Sequence, residues 1–141
     1  MLRLQFNVRT YNILNMSKKP LQSPTARGLA QSALDYSASV AYDRILYSFD
    51  IKASIAHARM LGRQAIIPSA DADAIVKGLL EIEHEIESGA FEWREDLEDV
   101  HLNIETRLRE KIGDAGARLH TARSRNDQIA TDMRMFVRVA C

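Results

Sequence analysis

From Asp35 to the last residue the chain carries apolar side chains at helical spacing, and Pro68 is the one proline in that stretch. Proline interrupts the hydrogen-bond ladders of helices and central strands, so its scarcity permits long helices. The recurrence of apolar residues every three to four positions selects helices over strands. A first segment is expected from about Leu34 to Leu46, with Ala38, Ala41, Ile45 and Leu46 on one face. A second opens at Asp50, whose side chain suits an N-cap, and runs through Ile51, Ile55, Ala58, Met60 and Leu61 to about Gln64. Pro68 and Ser69 punctuate, and Ser69 is expected to cap a third helix that turns Ala72, Ile75, Val76, Leu79, Ile82 and Ile86 inward. Asp71 and Asp73 lie in its first turn, where the helix dipole favours negative charge, and Ser88-Gly89 ends it. Phe91 and Trp93 are expected to plug the core at the following turn. A fourth helix presents Leu97, Val100, Ile104, Leu108 and Ile112 and stops at Gly113. No strand pattern competes after residue 35, so the predicted fold is all-α.

A fifth helix is expected to start after the run Leu119-His120-Thr121-Ala122-Arg123-Ser124-Arg125-Asn126-Asp127-Gln128, with Ile129, Met133, Phe136, Val137 and Ala140 at helical spacing. Asn126 or Asp127 can cap it. Free N–H groups at a helix start, flanked by guanidinium forks, make a site for a carboxylate or phosphate. A solvated interhelix turn is the bland alternative for the same residues. The fifth helix is apolar around much of its girth, which calls for partners on several sides. Either the protein oligomerises through it, or the sequence is part of a longer bundle; the second is the expectation.

At 141 residues the chain is long enough for one domain with a real core. Lys and Arg number 19, as do Asp and Glu, so the chain lacks the charge footprint of a general nucleic-acid or membrane binder. A single cysteine, Cys141, excludes an internal disulfide framework and suits a reducing, cytoplasmic setting. No apolar run approaches the length of a membrane span. Residues 1–34 differ from the rest: five basic residues (Arg3, Arg9, Lys18, Lys19, Arg27), no acidic one, and breaks at Pro20, Pro24 and Gly28. They read as an irregular or disordered leader, with an organellar transit peptide as the alternative and Met16 as a plausible second start.

The run His120 to Gln128 resembles the signature of the argininosuccinate lyase family, in the aspartase/fumarase superfamily. Other blocks agree in order and spacing. Ser37-Ala38-Ser39-Val40-Ala41-Tyr42-Asp43 resembles the family's N-A-S-I-x-[YF]-D segment, Asp50-Ile51 with Ser54 to Ala58 its second block, and Glu98 to Glu105 its E-D-[IV]-H-x-N-x-E block. The likeness covers roughly Asp35 to Arg138. Sister branches carry S-S-N-D-like or S-S-D-like loops without the pair Arg123 and Arg125. The resemblance implies an N-terminal helical domain over 35–118, then, over 119–141, the signature loop and the start of a central long-helix bundle.

It further implies cleavage of argininosuccinate to arginine and fumarate by β-elimination, with no cofactor and a homotetrameric or mixed-tetrameric assembly. Removing a weakly acidic Cβ proton beside a carboxylate demands stabilisation of an aci-carboxylate species by cations and hydrogen-bond donors. By resemblance, Arg125 and Asn126 hold the succinyl carboxylates, Ser39 and Asp43 contact substrate, and Asp43 suits a cationic group. Thr121 and Ser124 are supporting donors. His101 matches a family position with a supporting role, beside a purely structural alternative. His120 is expected to orient the loop, His57 to be structural and His84 a bystander. Four histidines without paired spacing form no metal site, and Glu95, Asp96, Glu98 and Asp99 read as acidic first-turn residues of the fourth helix.

Departures accompany the likeness. Where the family carries a W-G-G-R-F-like segment this chain reads Leu21-Gln22-Ser23-Pro24-Thr25, and Ser37 stands for the usual Asn. The family's G-S-S-x-M-P-x-K-x-N-P loop and its Thr-His pair, which carry the base, a lysine and a histidine, have no counterpart here. Family sites are assembled from three subunits, so these residues form one corner of such a site and are expected to be inactive alone. The alternatives are a structural, crystallin-like chain and a non-catalytic chain that joins full-length subunits.

Overall fold

The computed structural model describes residues 36–141, and the expectations for the leader and for Leu21–Thr25 fall outside them. Among the described residues every regular element is helical. In chain order they are α1 (Val40–Asp43), α2 (Tyr47–Arg63), α3 (Ser69–Glu87), α4 (Val100–Ile112), α5 (Asp114–Ala117) and α6 (Arg125–Ala140). Short 3-10 turns lie at Arg44–Leu46, Glu95–Leu97 and Arg118–His120.

Helices α2, α3 and α4 build the core. Ile51, Ile55, Ala58 and Leu61 meet Ala72, Ile75, Leu79 and Ile82, and Val100, Ile104 and Leu108 close over them with Leu119. Burial of this apolar surface is the dominant stabilising term. The helices approach closely at two glycines. A Cβ on Gly62 would stand 2.7 Å from the Cβ of Ala72, and one on Gly78 would stand 2.6 Å from Leu108 Cδ1. Phe91 and Trp93 pack on the core as expected, their rings tilted with centroids 4.6 Å apart. Gly89 (φ +75°) and Gly113 (φ +63°) end α3 and α4 in the left-handed region that glycine adopts without penalty.

Several element starts differ from the sequence expectation. The first segment is not one helix: α1 gives way to a 3-10 turn, Val40 and Leu46 are buried, and Ile45 is 59% exposed. Asp50 does not cap α2, which starts at Tyr47. It lies inside the helix, 1% exposed, where Ser54 Oγ donates to it at 3.4 Å and the Gln128 amide donates from α6. A distant partner has outcompeted local capping chemistry. Ser69 is the first residue of α3 rather than its cap, because Pro68, with ψ 139°, already turns the chain in. Helix α4 starts at Val100, not Leu97. Asp99 caps it, accepting the Leu102 N–H at 2.6 Å, and Glu95, Asp96 and Glu98 precede the helix instead of forming its first turn.

Helix α6 differs from α2, α3 and α4 in the kind of residue it turns inward. Its buried residues are Gln128 and Asp132, whereas Ile129, Met133, Val137 and Val139 are 39%, 44%, 48% and 77% exposed. The helix is seated on the body by its polar face, with Phe136 meeting Phe49 edge-on at 6.0 Å. No described helix is long and apolar enough to cross a membrane.

Candidate functional site

The loop between the Arg118–His120 turn and α6 carries the signature run. Thr121 is tied down by its carbonyl, which accepts from His57 Nε2 at 2.9 Å. Ala122 then adopts φ +56°, a conformation an alanine takes up only when its surroundings impose it. Arg123 turns inward, and its Nη1 donates to Ser54 Oγ at 3.1 Å. Ser124 caps α6, its Oγ accepting the Asn126 N–H at 3.3 Å. Asn126 and Asp127 therefore sit exposed in the first turn and do not cap the helix, because Ser124 already supplies the oxygen.

Arg125 sits among three acceptors. Its Nη1 donates to Gln128 Oε1 at 2.8 Å, its Nη2 reaches Glu105 Oε2 at 3.4 Å, and its Nε lies 3.8 Å from Asp99 Oδ2. The two carboxylate contacts are longer than a charge-assisted hydrogen bond of about 2.7–2.9 Å. The Nε–Nη2 edge is thus held less tightly than Nη1.

Ser39 and Asp43 are engaged with each other and with α4. Ser39 Oγ donates to Asp43 Oδ2 at 2.6 Å, and Asp43 Oδ1 accepts the Val100 N–H at 3.1 Å. The backbone N–H groups of Ser39 and Val40 donate to the Glu98 carbonyl at 2.7 and 3.0 Å. Glu98 takes φ +61° to offer that carbonyl. Asn103 braces the same loop by accepting the Arg94 N–H at 2.8 Å and donating to the carbonyls of Arg94 and Asp99 at 3.0 and 2.9 Å.

Ser39, Asp43, Asp99 and His101 line one cavity of about 380 Å³, together with Tyr42, Ile45, Leu46, Ile129, Met133 and Phe136. Arg125 adjoins it through Asp99. Asn126 and Ser124 lie at the exposed start of α6, and Thr121 lies in the loop before it. The sequence-derived residues thus fall into a cavity group and a helix-start group, joined by Asp99 and Arg125.

His101 is 3% exposed, with Nε2 2.8 Å from Asp132 Oδ2 and Nδ1 3.7 Å from Asp99 Oδ2, an ion-pair distance rather than a hydrogen bond. Burial opposes its charge, but Asp132, Asp99 and Asp50 outweigh burial and push its pKa up to about 9. It is an imidazolium at neutral pH. Burial pushes the Asp50 carboxyl up, against the opposing pull of His101 and Gln128. Asp99 also feels burial, yet His101, the Leu102 N–H and Arg125 together hold it below the usual carboxylate range. His120 and His57 are both pushed down, chiefly by burial. His84 is exposed on α3.

Asp50, His101 and Asp132 each place a ligand atom within 4.8 Å of the others. Asp50 Oδ1 and Asp132 Oδ2 already accept from Gln128 and His101, and the Arg123 guanidinium adds positive charge nearby. A cation would have to displace those donors, so the donor set suits a proton network better than a metal.

Sequence reasoning did not single out Asp50, Asp99, Gln128 and Asp132 as site residues. The pairs Asp50/Ser54 and Gln128/Asp132, each four apart, were the available signal: polar residues that share one face of a helix.

Residues 31–141 match the model of a family described as lyase. An argininosuccinate lyase of Symbiobacterium thermophilum is 61% identical over 108 residues, which cover 77% of this chain and 23% of that protein. The argininosuccinate lyase of Oleidesulfovibrio alaskensis is 61% identical over 103 residues, 73% of this chain and 22% of the relative. That of Nitratidesulfovibrio vulgaris is 54% identical over 111 residues, 79% and 24% respectively. The chain therefore spans less than a quarter of the length of these relatives.

Proposed function

The chain belongs to the lyase family that its residues 31–141 match, and from that premise we propose that it furnishes the substrate-binding corner of an argininosuccinate-cleaving enzyme. In the reaction a base takes a proton from Cβ of the succinyl group and the C–N bond breaks. The electron pair leaves with nitrogen, which is reprotonated, giving arginine and fumarate. Arg125 grips a succinyl carboxylate through its Nε–Nη2 edge, and Asn126, at the exposed start of α6, offers its amide to the other. The cation is most useful when the aci-carboxylate forms, because charge then concentrates on the oxygens it faces. Ser39 and Asp43 take the far side of the substrate, where the Asp43 carboxylate suits an amino or guanidinium group. Thr121 and Ser124 support the loop, and the His101 imidazolium contributes positive charge at the cavity wall. No residue of this chain is assigned as the base.

The observation that carries this reading is the Arg125 fork at the start of α6, loosely held by Glu105 and Asp99 beside the cavity of Ser39, Asp43 and His101. Purified chain mixed with argininosuccinate, with fumarate followed by ultraviolet absorbance, is expected to show no turnover. Residues 31–141 exchanged for the matching segment of the Symbiobacterium thermophilum enzyme are expected to give an active hybrid. A folded but inactive hybrid would reject the assignment.

The exposed Ile129, Met133, Val137 and Val139 favour a companion reading in which α6 joins further helices in a tetramer, homomeric or mixed with longer lyase chains, in the cytoplasm. Co-purification with a full-length lyase chain supports it, and a monomer by light scattering in the presence of that chain opposes it.

A further inference from the structure

Gln128 is 4% exposed and touches a guanidinium on one side and a carboxyl group on the other. Its Oε1 accepts from Arg125 Nη1 at 2.8 Å, and its Nε2 donates to Asp50 Oδ1. A guanidinium has donors only, so it fixes the amide oxygen toward Arg125 and leaves the NH₂ for the carboxylate. Asp50 is anchored in α2, flanked by the buried core residue Ile51 and bonded by Ser54 Oγ. A rigid core helix is thereby connected, through one amide, to an arginine at the start of another helix.

The chemistry of this connection is specific. A buried carboxylate and a buried amide are costly to desolvate, and apolar side chains of the same size would serve packing as well. The amide also takes one N–H of Arg125 without neutralising its charge, as a carboxylate at position 128 would. The Nε–Nη2 edge stays turned toward Glu105 and Asp99, at 3.4 and 3.8 Å.

We infer that Asp50 and Gln128 form a positioning relay that sets the direction of the Arg125 guanidinium; the inference rests on Arg125 as the carboxylate clamp proposed above. Asp50 and Gln128 touch no substrate in this scheme. They act through Arg125.

The relay is tested first in the full chain by nitrogen NMR of the Arg125 side chain. Slow rotation of the guanidinium is expected in the wild type, and rotation at least about tenfold faster in Gln128→Met. Fast rotation in the wild type, or unchanged rotation in the variant, would overturn the relay. The functional arm uses the active hybrid. Gln128→Met and Asp50→Leu are expected to raise KM for argininosuccinate about tenfold or more, whereas Asp50→Asn, which keeps an acceptor for the amide, stays within about threefold. Folded Gln128→Met with KM inside that threefold limit would overturn the relay. Should Gln128→Met fail to fold, Asp50→Leu against Asp50→Asn and the wild-type rotation rate decide. Arg125→Lys separates the two ideas. If it leaves the hybrid unimpaired the clamp fails, and the NMR arm alone judges the relay. If it impairs the hybrid while Gln128→Met does not, the relay alone fails.

Discussion

His101 Nε2 donates to Asp132 Oδ2 across 2.8 Å, joining α4 to α6 through two side chains that are both buried. The pKa of His101 is raised from its ordinary 6.5 to about 9, so the folded state holds a proton that the unfolded chain releases earlier. The associated stability is fully present below about pH 6.5 and is lost as the pH rises through about 9. The expected loss is up to about 3.5 kcal/mol, from a rise of roughly 2.5 pH units at ~1.4 kcal/mol each. Denaturant unfolding at a series of pH values should show that decline, and His101→Gln should flatten it. A wild-type stability curve level between pH 6.5 and 9 would refute the imidazolium assignment.

Asp132→Asn addresses the same pair from the other side. The amide oxygen still accepts the Nε2 proton, but the negative charge that favours the imidazolium is gone. The His101 pKa, followed by proton NMR, should fall toward its ordinary value. A value still near 9 would mean that Asp99 and Asp50 suffice.

Arg125→Lys in the active hybrid should cost about 2–4 kcal/mol in transition-state binding, by analogy with loss of an oxyanion donor. A lysine carries the charge but cannot present the two-pronged edge that a carboxylate matches. Steady-state kinetics measure the loss as kcat/KM. A change under about tenfold would remove Arg125 from the clamp.

Much of the core was legible because it is periodic. Ala72, Ile75, Leu79 and Ile82 repeat at helical spacing and all face inward, and Gly89 and Gly113 mark ends that require positive φ. Capping residues were less legible. Asp50, Ser69 and Asn126 each have the right chemistry for a cap, but Gln128, Pro68 and Ser124 decide the outcome. The polar face of α6 was hidden for another reason. Gln128 finds Asp50, and Asp132 finds His101, across long stretches of sequence, while the conspicuous apolar residues on the same helix stay exposed. Hydrophobic spacing alone does not show which face of α6 meets the body.

The two close helix approaches should differ in tolerance. At Gly62 the atom in the way is the Cβ of Ala72, which moves only with its backbone. At Gly78 it is the end of the Leu108 side chain, which can turn. Overpacking costs about 1–3 kcal/mol, while replacing a helical glycine by alanine returns about 1 kcal/mol. Gly62→Ala should therefore destabilise by up to about 2 kcal/mol net, and Gly78→Ala by less. Thermal melting of both variants checks the order, and the reverse ranking would contradict the packing described for α3 against α2 and α4.

Asp43 is placed to do two things, and two substitutions separate them. Its carboxylate accepts from Ser39 Oγ and from the Val100 N–H, which pins α1 to the start of α4. Asp43→Ala strands the Val100 N–H, leaves Ser39 Oγ only the Glu98 carbonyl at 3.5 Å, and removes negative charge from a helix N-terminus, at a cost of about 1–3 kcal/mol in stability. Asp43→Asn leaves an oxygen facing Val100 and should retain most of that stability. It loses the charge that a substrate amino or guanidinium group would meet, so the hybrid carrying it should show a raised KM with a nearly unchanged melting temperature. If instead Asp43→Asn melts like Asp43→Ala and keeps its KM, the carboxylate is a helix anchor and the cationic end of the substrate is held elsewhere.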